Sequence, residues 1–152
     1  MSTFQYGQDQ LTVGTALQLA RKEIKGELSP ETRTKVQASA LAVANIANGE
    51  KAVYGINTGF GPLCTSKISA ADLLKSHAVG LGEPVPIEIS KLMLVLKLQA
   101  LAQGFSGIRL ETLDRMMWML DNEVIPVVPI QGSVGASGDL APLSHLFLPL
   151  LG

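Results

Sequence analysis

Two glycine-rich loops most constrain the fold, because they interrupt a sequence whose other long segments follow a helical pattern. The first covers residues 54–62 and contains three glycines and a proline. The second covers residues 132–139 and has glycines at positions 132, 135 and 138. Glycine and proline at this density do not allow a regular helix. We therefore expect helices that are joined by two irregular loops.

The segments outside the loops are predicted to be helical. Ser29-Pro30-Glu31 is typical of a helix start, since serine caps the first turn, proline fits it and glutamate favours its positive end. Ser69 with Asp72 resembles a capping box. The segment 87–103 is apolar on nearly all sides, which predicts a buried central helix. The candidate helices cover residues 12–25, 30–48, 70–79, 87–103 and 109–123.

Strand signals are weak. Residues 124–131 are rich in β-branched side chains but include Pro126 and Pro129, so they form a short extended segment at most. The predicted fold class is mainly α with at most short strands. We expect residues 1–152 to form a single helical region that carries both loops.

Composition narrows the possible functions. The formal net charge is -1 and the basic residues are scattered, which predicts no nucleic-acid partner. The most apolar stretch is broken by Lys91 and Lys97, so we expect no membrane span. A 16% charged fraction beside 47% hydrophobic residues favours a chain that buries surface against a partner subunit or a missing part of itself.

The few cysteine and histidine residues give further limits. One cysteine, Cys64, permits no internal disulfide and favours a reducing, cytoplasmic location, and the first residues do not resemble a signal peptide. Two distant histidines with that cysteine do not supply a zinc ligand set, so no metal is expected. The uncharged end of the chain predicts that a C-terminal remainder is absent.

The second loop matches none of the common catalytic motifs. Its glycine spacing differs from that of dinucleotide-binding and phosphate-binding loops. A nucleophile elbow needs glycine two residues before the serine and two residues after it. Gly135 fits the first position relative to Ser137, but Asp139 occupies the second. From composition alone, the loop is a turn before a helix, with Ser137 or Asp139 as the cap.

A longer comparison of the same segment indicates a family. The run Gly-Ser-Val-Gly-Ala-Ser-Gly-Asp-Leu-Ala-Pro-Leu-Ser-His-Leu at 132–146 resembles the signature of the aromatic amino acid lyases, which include histidine, phenylalanine and tyrosine ammonia-lyases. Residues 54–61 resemble the tyrosine-bearing loop of that family. The resemblance covers about 11–152, the first third of a typical member. It implies the N-terminal part of the family's fold, in which helices lead into a central helical bundle.

The resemblance implies a self-made electrophile. In this family the amide nitrogen of Gly138 would attack the carbonyl carbon of Ala136. Loss of two water molecules, one of which removes the Ser137 hydroxyl, would leave 4-methylidene-imidazol-5-one (MIO). Glycine at position 138 permits the close approach of its nitrogen. The resemblance gives Ala136, Ser137 and Gly138 catalytic roles.

The first loop would supply the base and part of the pocket. Tyr54 matches the family's catalytic tyrosine, which would remove the β-proton of the substrate. Without the resemblance, an aromatic residue at the edge of the core is the simpler interpretation. Gly61 lies in the segment that would close over the substrate and is expected to line its pocket.

Two adjacent residues indicate the substrate. Family members that act on histidine tend to carry Ser-His where phenylalanine enzymes carry Phe-Leu and tyrosine enzymes His-Leu, and this chain has Ser76-His77. Both side chains can hydrogen-bond an imidazole. A histidine that serves only its own helix is the alternative for His77. The resemblance implies elimination of ammonia from L-histidine to give urocanate.

Other outcomes of the same resemblance stay open. An MIO-dependent aminomutase would return the ammonia to the β-carbon, and tyrosine or phenylalanine ammonia-lyase activity is a further alternative. The family builds each active site from several subunits of a homotetramer, so the isolated chain is expected to be an inactive helical scaffold. Arg109 and His145 match family segments and are expected to be structural. The substrate's carboxylate group would be bound by residues outside this chain.

Overall fold

Helices dominate the computed structural model, which describes residues 3–60, 65–135 and 138–151. Six helices and four short strands occur within those ranges, so the predicted mainly α class is confirmed. The chain divides into two units. The first contains Met1–Leu41 and Pro86–Ile125, and the second contains Ala42–Val85 and Pro126–Gly152.

The first unit has a two-stranded parallel sheet that the sequence did not reveal. Strand β1 (Thr3–Gln5) pairs with β2 (Lys25–Glu27), with Phe4 opposite Gly26. Helix α1 (Val13–Ala20) is capped by the Thr12 side chain. It ends at Ala20 rather than at residue 25, because Lys22 takes a left-handed backbone conformation (φ 61°).

Three longer helices follow β2 in the chain. Helix α2 (Pro30–Ala47) begins at the predicted proline. Helix α4 (Ile87–Leu101) lies within the segment 87–103 that was predicted to form a buried central helix, but in this chain it is only partly buried. One face packs inward, whereas Ile87 (61%) and Leu96 (55%) are largely exposed. Helix α5 (Leu110–Asp121) lies within the predicted range 109–123 and is amphipathic. The buried residues of α4 and α5 are Ser90, Leu94, Val95, Leu98, Leu110, Leu113, Met116, Met119 and Leu120.

The second unit places the two loops around a small sheet and two short helices. Helix α3 (Ala70–His77) precedes strand β3 (Leu81–Pro84), which pairs antiparallel with β4 (Pro129–Gln131). Helix α6 (Leu140–Phe147) follows the second loop and packs on α3. A 3₁₀ helix, Leu148–Leu151, continues it. The short extended segment predicted within residues 124–131 is confirmed as β4, which covers only Pro129–Gln131, and β3 is an unpredicted strand.

Candidate active site

Helix α3 places Ser76 and His77 at its C-terminal end. The helix starts where predicted, because the Ser69 hydroxyl accepts a hydrogen bond from the Asp72 amide (3.1 Å) and donates one to the Asp72 carboxylate (2.6 Å). It ends at His77, two residues before the predicted end. Because the cap fixes where the helix begins, it also fixes the positions of Ser76 and His77 in the last turn.

The ring of His77 is oriented by its own helix. Its Nδ1 lies 2.9 Å from the Leu73 carbonyl oxygen and 2.9 Å from the Ser76 hydroxyl, which itself donates to Leu73 at 2.8 Å. Because a carbonyl oxygen only accepts hydrogen bonds, Nδ1 of the neutral ring carries the proton. Nε2 then remains as the acceptor of this half-buried histidine.

A cavity of about 260 Å³ joins this helix end to the second glycine-rich loop. Ser76 and His77 line it from one side. Gly132 and Val134 come from the residues before Ala136, and Leu140 comes from those after Ser137. Segments that are far apart in sequence thus line one cavity, in the unit where α6 packs on α3. Ser76 and His77 therefore share a cavity with described residues that precede position 136 and follow position 137.

Three aromatic rings connect the first loop to the same helix. The Tyr54 and Phe60 ring centroids are 5.8 Å apart, and those of Phe60 and His77 are 5.9 Å apart. Both pairs have the edge-to-face geometry that aromatic quadrupoles favour. Tyr54 is 63% exposed in this chain, so the loop presents this residue to solvent.

Asn57 holds the first loop, and sequence reasoning missed it. Its Oδ1 accepts from the Val53 amide (2.9 Å), and its Nδ2 donates to the carbonyls of Lys51 (3.2 Å) and Ala47 (3.4 Å). The residue is nearly fully buried. An asparagine in a glycine-rich loop is a signal for such bonds, because its amide can pair with backbone groups on both sides.

A side-chain pair closes the second loop. The Ser133 hydroxyl donates to the Asp139 carboxylate and accepts from the Gly135 amide at 3.2 Å. Asp139 stands at the N-cap position of α6 but makes no side-chain cap, and its backbone is left-handed (φ 59°). The capping role considered for Asp139 is therefore not found, and its carboxylate joins the two ends of the loop instead.

Four of the seven predicted site residues lie within the described ranges. Tyr54, Ser76 and His77 are in the arrangement above, and Gly138 is exposed directly before Asp139. The predicted residues Gly61, Ala136 and Ser137 lie outside the described residues.

A larger cavity, about 340 Å³, lies in the first unit and is less suited to a reaction that needs a tyrosine as a base. Its lining is mainly apolar, with Lys22 and Asp121 among the charged residues. Tyr6 also lines it, but burial and then the negative charge of Asp121 raise the pKa of Tyr6 above its ordinary value. A phenol held in its protonated form is a poor base. We therefore place the candidate site in the second unit.

The described residues contain neither a metal-binding cluster nor a helix that could span a membrane. Within ranges 3–60, 65–135 and 138–151, no three histidine, cysteine, aspartate or glutamate side chains group closely enough to hold a metal ion. The described helices include none with both the length and the apolar character needed to cross a membrane.

Comparisons with known proteins agree with one another. The pattern of the family described as aromatic amino acid lyase matches residues 11–152. The chain is 48% identical to a histidine ammonia-lyase of Myxococcus xanthus, over 95% of this chain and 30% of that protein. It is 45% identical to one of Stigmatella aurantiaca, with the same coverage. The chain thus spans about 30% of the length of these curated relatives.

Solved structures show the same fold. The histidine ammonia-lyase of Trypanosoma cruzi superposes with a TM-score of 0.80 and 34% identity, over 100% of this chain and 30% of that one. A tyrosine aminomutase from Streptomyces globisporus superposes with a TM-score of 0.83 and 27% identity, over 95% of this chain and 28% of that one.

Proposed function

The chain belongs to the aromatic amino acid lyase family, and on that premise we propose that it forms part of an enzyme that eliminates ammonia from L-histidine to give urocanate. One observation carries this proposal. A single cavity is lined by Ser76, by His77 and by residues on both sides of Ala136-Ser137. A substrate held there would have its imidazole beside polar side chains and its amino group beside the proposed electrophile.

We propose that Ala136, Ser137 and Gly138 form MIO. The described neighbours of the tripeptide fit this group, because the Ser133–Asp139 bond holds the two ends of the loop together. Gly138 has a φ of 81°, which favours glycine over any residue with a Cβ. Once formed, the ring supplies an electrophile that activates the substrate's amino group for departure. No metal is needed for this proposal.

The remaining roles fall to side chains of this chain. The Tyr54 oxygen would accept the β-proton while the C–H electron pair forms the new double bond and ammonia leaves the α-carbon. His77 Nε2 would accept a hydrogen bond from the substrate imidazole, since Nδ1 is already engaged. Ser76 would contribute its hydroxyl beside His77, and Gly61 would line the pocket.

The assembly proposed is a homotetramer in the cytoplasm whose further residues complete each site. Exposed apolar side chains support burial against other parts of such an assembly, among them Val13 (81%) and Phe105 (82%). Because the chain spans about 30% of its relatives, the groups that bind the substrate carboxylate are expected in the other part.

An aminomutase is the second candidate. The likeness to the Streptomyces globisporus tyrosine aminomutase favours it, because that protein shares the fold at a TM-score of 0.83. The two outcomes differ in the fate of ammonia. A lyase releases ammonia and an unsaturated acid, whereas a mutase yields a β-amino acid.

The proposed function is tested with a chimaera. Residues 1–152 replace the matching segment of the Myxococcus xanthus relative, and the chimaera is incubated with L-histidine. We expect urocanate and ammonia in equal amounts, and no activity from the isolated 152-residue chain, because its site is incomplete. A β-amino acid product would favour the mutase instead. Absence of any histidine turnover by a folded chimaera would contradict the proposal.

Substrate preference tests the proposed role of His77. In the chimaera, His77→Leu is expected to weaken histidine binding by about 1–3 kcal/mol, because the substrate imidazole loses its partner in the pocket. The measured effect should be a raised KM with a smaller change in kcat. Lys75→Ala, an exposed change on the same helix, is the matched control. An unchanged KM in His77→Leu would assign His77 to its own helix alone.

A further inference from the structure

His145 joins the helix after the second loop to the segment after α3. Its Nε2 accepts a hydrogen bond from the Gly80 amide at 2.9 Å, across 65 positions of sequence. Accepting at Nε2 requires the ring to carry its proton on Nδ1. The contact is half-buried, so solvent competes with it less than at the surface.

The surroundings of this bond leave little room for movement. A Cβ placed on Gly80 would come within 3.0 Å of both His145 Nε2 and the carbonyl oxygen of Gln131. A Cβ on Gly132 would come within 3.0 Å of the Gly80 Cα. Strand β3 starts beside Gly80, and its Leu81 pairs with Gln131. The segment of Gln131-Gly132 and the His145 ring are therefore both packed closely against Gly80.

Each of those segments leads into the candidate site. Gly80 follows His77 by three residues, Gly132 begins the second loop, and His145 lies on α6, which starts after Asp139. A displacement at this junction would change the separation between Ser76-His77 and the second loop. No local sequence pattern specifies that separation, because the residues are far apart along the chain.

We infer that His145 is a positioning residue, which holds the His77 wall of the cavity at a set distance from the second loop through its bond to Gly80. The inference rests on the proposed function and deepens it. His145 does not touch the substrate in this scheme, and it acts through the backbone of residues 77–80. Its removal should therefore weaken substrate binding more than it slows the chemical step.

Kinetics of two variants in the chimaera test the inference. His145→Leu has similar volume and no acceptor, and it should raise KM for L-histidine about three- to tenfold, as expected for one lost hydrogen bond, with a smaller change in kcat. His145→Gln keeps an acceptor at a similar reach and should restore KM to near the parent value. A fall in kcat alone, or equal KM values in both variants and the parent, would overturn the inference.

A nuclear magnetic resonance experiment tests the same inference without relying on enzyme activity. In the 152-residue chain labelled with ¹⁵N, the parent should show an unprotonated Nε2 at His145 and slow exchange of the Gly80 amide proton. His145→Leu should speed that exchange and shift the His77 ring resonances, whereas His145→Gln should do neither. If the parent chimaera makes no urocanate, the proposed function fails, and unshifted His77 resonances in His145→Leu would separately overturn the positioning role.

Discussion

Ser137→Ala is expected to prevent ring formation and to remove most of the lyase activity in the chimaera. Alanine lacks the hydroxyl oxygen that leaves as water and so cannot become the exocyclic methylidene carbon. The parent protein should have an intact mass lower than its sequence mass by two water molecules, and the variant should show its full sequence mass. Activity should fall on the order of a thousandfold or more, which corresponds to about 4 kcal/mol in the activation barrier.

A serine elsewhere provides the control for this variant. Ser106 is exposed in the first unit, so Ser106→Ala should retain both the mass deficit and the activity. Ser133→Ala gives a graded comparison, since it removes the bond to Asp139 but keeps Ser137. It should slow the appearance of the mass deficit without preventing it. Full activity in Ser137→Ala would contradict the proposed electrophile directly.

Tyr54→Phe should lower kcat about 10²- to 10⁴-fold, the usual contribution of a positioned general base. The ring of phenylalanine keeps the edge-to-face contact with Phe60, whose centroid lies 5.8 Å away, so the loop should stay in place. The mass deficit should be unchanged, because Tyr54 takes no part in ring formation in this scheme. Urocanate formation by purified protein, together with intact mass, measures both expectations.

The other tyrosine of the chain is the matched control. Tyr6 is buried, and its hydroxyl has no hydrogen-bond partner among the described residues. Tyr6→Phe should therefore leave kcat unchanged, and it should not lower stability, since an unpaired buried hydroxyl costs about 1–3 kcal/mol. Equal losses of activity in the two variants would show that Tyr54 acts through folding rather than as a base.

Some parts of the fold could be predicted because their signals are local. The Ser69–Asp72 cap lies within four consecutive residues, and the start of α2 at Pro30 depends on its immediate neighbours. Other parts depend on distant residues. Strand β3 contains Gly82 and Pro84, which disfavour a strand, and it forms because β4 lies beside it. Which face of α4 is exposed likewise depends on the segments that pack against it, and not on the sequence of the helix alone.

The sequence by itself determined the mainly helical class and the residues that are candidates for the site. Its resemblance to the aromatic amino acid lyases, carried by the runs at 54–61 and 132–146, made the tripeptide at 136–138, Tyr54 and the Ser76-His77 pair candidates, whereas composition alone predicted only turns and helices. Only the tertiary structure decided that Ser76-His77 and the flanks of the tripeptide line one cavity. It also decided that Asp139 accepts from Ser133 and that His145 accepts from Gly80. Sequence patterns describe local backbone preference, whereas the cavity and the Gly80–His145 bond form only when α6 packs against α3 and brings distant residues together. The Ser133–Asp139 bond spans six residues and depends on how the backbone of the loop folds.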